Sequence, residues 1–168
     1  MTLITEDGSG LADAESLCSV EYADTYHAAR GTTTWAGLST AEKEQALRRG
    51  TDYLEQHYGV RLAGHRQFTV QALAFPRYEL PRKGGFKGEY WATGAVPLAA
   101  AQACAEMALR AGKADLAPDI GRLKKSITVG PIKTEYVDSD GVTRYRQIDQ
   151  IMSQFMAGSS SSIALARS

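Results

Sequence analysis

Basic and aromatic side chains interleave between Phe75 and Trp91: Phe75, Arg77, Tyr78, Arg82, Lys83, Phe86, Lys87, Tyr90 and Trp91. Side chains of these types, so mixed, bind single-stranded nucleic acid. Bases stack on flat rings at about 1–3 kcal/mol each while cations follow the phosphates. Arg77, Arg82, Lys83 and Lys87 are therefore the candidate contacts to DNA or to a neighbouring subunit. Glu79 and Glu89 dilute the charge. The competing reading folds the rings back onto the protein's own helices and leaves the lysines in water.

A second constellation lies near the end of the chain. Ile148, Ile151, Met152 and Phe155 fall at i, i+3, i+4 and i+7, the spacing of one apolar helical face. They are the candidate partner-binding residues. Such a helix either inserts into a groove on another protein or packs back on its own bundle. Only the first leaves the melting temperature of a Phe155→Ala monomer unchanged.

Other chemistry lacks its residues. His27, His57 and His65 are scattered, and no Cys/His pair has zinc-ligand spacing. Asp138–Gly141 imitates part of a calcium loop, but Tyr136 and Gln147 occupy the first and last ligand positions, so a turn is expected. Phosphate-binding and dinucleotide glycine motifs are missing, as are nucleophile elbows. The expectation is a non-enzyme without metal or cofactor.

These residues must be held by a scaffold, and its centre is the stretch from Val96 to Ala111. It is rich in Ala, Leu and Met, opens at Pro97 and stops at Gly112. Gln102, Glu106 and Arg110 stack as one polar stripe, so the rest of the circumference should be buried. Two further helices are expected. One is capped by Ser19 and runs to Arg30; the other starts at the capping box Ser39–Glu42 and reaches about Tyr58. On the latter, Ala46, Leu47, Gly50, Tyr53, Leu54 and Tyr58 share a face, with Gly50 letting the alanine-rich helix approach. Thr32–Leu38 is expected as a loop around Trp35.

Residues 59–94 lose all periodicity, and an irregular section that long is usually functional. Within it, Gln71–Pro76 suggests one helical turn or a short strand, and Arg82–Gly88 an exposed, mobile loop. After Gly112, Ser126–Val129 and Ile132–Val137 are β-branched. A turn at Asp138–Gly141 and a return strand Val142–Tyr145 are expected to complete a hairpin. A serine-rich linker and a small apolar tail follow the last helix.

The predicted class is mainly α: a small helical bundle with a C-terminal β-hairpin and a short terminal amphipathic helix. Residues 1–121 form the bundle, and 122–168 extend the same domain. At 168 residues with 19 basic and 19 acidic side chains, the neutral sum gives no reason for an obligatory polyanionic partner. Two cysteines, Cys18 and Cys104, suggest a reducing compartment rather than a disulfide scaffold. The N-terminus does not read as a signal peptide, and no apolar run is long enough to cross a bilayer. No membrane association is expected.

Several pieces, in order, resemble a family of small tailed-phage morphogenesis proteins. They are Glu6–Gly10, Tyr22–Tyr26 with Arg30 and Gly31, Trp35, Ala46 with Leu47, Thr51–Leu54, Gln71–Arg77, and Val96 with Pro97. The family comprises head-to-tail adaptors, or connectors, some of them labelled DnaT-like single-stranded DNA-binding proteins. The resemblance spans roughly residues 3–112. It departs at Leu17–Cys18, where serine and tyrosine are expected, and at Phe75, where tryptophan is commoner.

The resemblance implies a catalytically inert bundle that assembles as a homo-oligomeric ring, dodecameric, between portal protein and next tail component. The location it implies is the virion head–tail interface, after synthesis in the host cytoplasm. Arg82, Lys83 and Lys87 would then face a neighbour or the DNA channel. The alternative is a single-stranded DNA-binding accessory protein using the aromatic-basic loop 75–91.

Overall fold

A computed structural model describes residues 2–119, 126–129, 132–135 and 143–157. Among these residues five α-helices carry the fold: α1 (Val20–Ala28), α2 (Thr33–Ala36), α3 (Thr40–Tyr58), α4 (Leu98–Ala111) and α5 (Arg146–Ser153). Two two-stranded antiparallel ribbons join them: β1 (His65–Arg66) with β2 (Arg77–Tyr78), and β3 (Ser126–Val129) with β4 (Ile132–Glu135). The mainly helical class follows, with a hairpin late in the chain.

The α3–α4 pair is the axis. α4 buries Ala100, Ala101, Ala103, Cys104, Ala105, Met107, Ala108 and Ala111, so the alanine-rich segment is enclosed as its composition demands. Gly50 is where α3 comes closest: a Cβ there would lie 2.8 Å from the Ala108 amide nitrogen. Its penalty in a helix interior, about 1 kcal/mol against alanine, is offset by backbone contact no other residue allows. At the same crossing Thr51 Oγ1 lies 3.3 Å and Ser16 Oγ 3.6 Å from Cys104 Sγ. Cys18 and Cys104 are both free and buried.

The polar stripe on α4 is absorbed by its neighbours. Tyr26 donates its hydroxyl to Glu106 at 3.1 Å, and Arg110 Nη1 reaches the other carboxylate oxygen at 2.7 Å. Arg110 Nη2 also bonds Gln147 on α5 at 2.7 Å. Ser39 and Glu42 form the reciprocal cap on α3 that their spacing predicts. The Thr32–Leu38 segment differs from expectation. Thr33–Ala36 closes a helical turn that seats Trp35 in the core, its indole N–H donating to Asp24 at 2.6 Å.

His27 is buried against this cluster, Nε2 lying 3.1 Å from the Ala105 carbonyl oxygen. That carbonyl assigns the proton to Nε2, leaving Nδ1 without a partner. Burial pulls the His27 pKa below its usual 6.5, since a second proton would gain no acceptor. Below about pH 6.5 the unfolded chain then binds more protons than the folded one, so stability is full above that pH and falls with acidification. Melting temperature should drop between pH 7.5 and 5.5. His27→Gln, which keeps a donor for the carbonyl, should flatten that slope, and an unaltered slope removes His27 as the cause.

Two expectations about the C-terminal part are corrected. Val129 pairs with Ile132 and Ser126 with Glu135, so the second strand is Ile132–Glu135. Thr143–Tyr145 carry no strand; Tyr145 is instead the N-cap of α5. The local pairing of two β-branched runs close in sequence wins over the more distant return. The turn expected at Asp138–Gly141 and the linker and tail beyond 157 lie outside the described residues.

The amphipathic helix forms, but its apolar face is turned inward. Ile148, Met152 and Phe155 are fully buried in the core and Ile151 is half-buried. Phe155 sits between the rings of Phe75 (5.4 Å) and Trp91 (5.5 Å). Ala63 N–H donates to the Phe155 carbonyl at 2.8 Å and Ala157 N–H to that of Arg61 at 3.0 Å, clipping the segment to the end of α3. Of the two readings, the structure takes packing on its own bundle, α5 lying against α4.

Candidate nucleic-acid interface

Residues 59–94 are held by the short β1–β2 ribbon and, for the most part, by side chains bonding to backbone. Gln71 accepts from Phe68 N–H and donates to the carbonyls of Leu73 and Pro76. Glu55 on α3 accepts from Ala74 N–H at 2.8 Å, and burial raises its carboxyl pKa. Gln71–Pro76 is thus neither helix nor strand, and its Phe75–Pro76 peptide is cis.

Arg77, expected at a DNA or neighbour contact, is buried instead. Its guanidinium donates to the carbonyls of Ala63 (2.7 Å), Ala74 (3.1 Å), Leu62 (3.2 Å) and Gly64 (2.7 Å). Burial lowers its pKa, yet four carbonyl oxygens keep the cation solvated from within. Its task is to bind the chain after α3 to the segment before β2. Phe75 is likewise a core ring.

The other predicted cations stay at the surface, two of them with partners. Arg82 Nη1 lies 2.7 Å from Glu89 Oε1, and its guanidinium carbon stands 5.1 Å from the Trp91 ring centre. Lys83 Nζ donates to the Ser153 carbonyl at the end of α5, 2.8 Å away. Lys87 is exposed. Glu89 also accepts from Phe86 N–H at 2.9 Å, and these bonds hold its pKa below the usual carboxylate range. The acid that dilutes the patch therefore pins the 82–89 loop, which is exposed but tied down.

The segment leaves four rings bare, along with Val60 and Val70. Phe86 is 89% exposed, Tyr90 54%, Tyr78 41% and Phe68 41%. The last was missed in the sequence because it stands apart from the basic run; its signal was a large apolar residue inside a glycine-rich, aperiodic section. Phe68 packs over Gly10, where a Cβ would lie 2.2 Å from its ring. Across the β1–β2 ribbon His65 and Tyr78 pair ring to ring at 5.3 Å, while Arg66, the next residue of the strand, lies 3.8 Å from the Glu55 carboxylate. The segment thus carries exposed rings and surface cations, the two kinds of side chain that stacking and phosphate contact require. Among the described residues no cluster of His, Cys, Asp or Glu could hold a metal, and no helix is long and apolar enough to cross a membrane.

A family model described as "putative DnaT-like ssDNA binding protein" matches residues 1–168. The chain belongs to this family. No curated protein and no solved structure matches it. Membership of the DnaT-like family extends over the whole chain, including the part after Gly112 that the motif resemblance left unsupported.

Proposed function

We propose that this DnaT-like protein binds single-stranded DNA, with bases stacking on Phe68, Tyr78, Phe86 and Tyr90 while Arg66, Lys83 and Lys87 lie near the phosphates. The observation that carries this is the sorting of rings within one segment. Phe75 is enclosed in the core, whereas four others face water, where apolar area costs free energy without a ligand. The family's description supports the same reading. Stacking rather than charge dominates, in keeping with a chain of zero formal net charge.

The test is fluorescence anisotropy with labelled oligothymidylate. Three phosphate contacts predict a log–log salt slope near −2, so affinity should fall roughly tenfold to twentyfold between 50 and 200 mM salt. Lys83→Glu with Lys87→Glu should weaken binding and flatten its salt dependence, and duplex DNA, whose bases are already stacked, should bind more weakly. Absence of binding at 50 mM salt overturns the proposal.

A structural reading stands beside it, favoured by bare apolar surface unsuited to base stacking: Val60 is 92% and Leu98 61% exposed. In it the chain is a subunit of a head-to-tail adaptor ring, dodecameric, joining portal protein and next tail component in the virion. Neighbouring subunits would cover these side chains through heterologous contacts that close. Mass in solution, alone and with a purified portal ring, tests it; a monomer in both sinks it.

A further inference from the structure

The loop 82–89 and the end of α5 flank an open cleft of about 430 Å³, lined by Arg82, Lys83, Phe86, Glu89, Trp91 and Gln154. Its size falls within the roughly 300–1,000 Å³ usual for small-molecule sites. One wall is a preformed stack in which Glu89 holds the Arg82 guanidinium beside the Trp91 ring. Trp91 is itself fixed from behind by Phe155. Phe86 stands nearly free at the rim, between glycines at 84, 85 and 88, so its ring can swing without disturbing the core.

Polar groups in the cleft have unused capacity. Lys83 uses one of three N–H donors on Ser153, and Gln154 donates from Nε2 to the Ile151 carbonyl, leaving its carbonyl oxygen. We infer that this cleft is a nucleobase subsite, in which one base of a single strand lies between the Arg82–Trp91 wall and Phe86. The base edge meets the Gln154 amide, and the adjoining phosphate meets Lys83. Arginine planes and aromatic rings are the surfaces on which unstacked bases settle. The inference rests on the single-strand reading and deepens it, turning a diffuse array of rings into one pocket with a defined occupant.

The intact protein carries its own reporter. Its two tryptophans are Trp35, buried in the core, and Trp91, in the cleft wall. Titration with an oligothymidylate of about ten nucleotides, within the usual span of single-strand sites, should quench tryptophan emission. Trp91→Phe should lose the change, and an abasic strand, which keeps the phosphates, should not cause it. Phe86→Ala, altering only an exposed ring, should weaken binding about 5- to 150-fold, the equivalent of one stacked base. Binding without quenching and with full affinity in Phe86→Ala overturns the subsite and leaves the single-strand reading standing. Absence of any binding overturns both. Thymidine monophosphate saturating the quench at the same concentration as the oligomer overturns the strand as its source.

Discussion

Arg77→Ala should lower the unfolding free energy by about 3–5 kcal/mol, read from urea denaturation. The substitution strands four carbonyls that the guanidinium now bridges. Each buried, unsatisfied polar group costs about 1–3 kcal/mol, and relief of burying a cation offsets part of the total. Against a typical 5–15 kcal/mol for a whole domain, that is a large fraction. Arg77→Lys should recover little, because one ammonium cannot span four acceptors arranged around a planar fork. Folded Arg77→Lys protein should still bind oligonucleotide as tightly as the unaltered chain. A loss below about 1 kcal/mol, or a selective loss of DNA affinity, would return Arg77 to the surface role its sequence position suggested.

Phe155→Ala should cost a similar 3–5 kcal/mol, the range for emptying a large aromatic from a packed core. For a protein of this size that lowers the melting temperature by about 10 °C. Phe75 and Trp91 would lose their common neighbour, and the clip from α5 to residues 61–63 would loosen. An unchanged melting temperature would mean that α5 leaves the bundle in solution and is available to a partner groove. The same substitution should indirectly blunt the Trp91 response to oligonucleotide, since Phe155 fixes the indole from behind. Phe86→Ala separates this effect, because it touches the cleft and not the core.

The helices other than α2 were readable because their signals are local and repeated. Ser39 and Glu42 lie three apart, and both halves of their cap are made within one turn. Alanine fills half of the 14 positions of α4 and lets neighbouring backbones close on it, and Gly50 marks the crossing that encloses it. Residues 59–94 were not readable in the same way. Their order comes from single side chains reaching distant backbone groups: Arg77 to the carbonyls of residues 62–64, Glu55 to the Ala74 N–H, Lys83 to the Ser153 carbonyl. No spacing rule encodes such bonds. The aromatic-basic run was visible as composition, but which of its members face water was not.

Composition and periodicity determined that this protein is a small helical bundle around an alanine-lined helix, with a ring-and-cation segment beside it. They did so because helical burial repeats every few residues and needs only neighbours along the chain. Tertiary structure alone decided that Arg77 and Phe75 are structural, that α5 covers its own core, and that Phe68, Tyr78, Phe86 and Tyr90 remain exposed. An arginine or an aromatic suits both an interior and a ligand surface, and only the atoms packed around it choose between them.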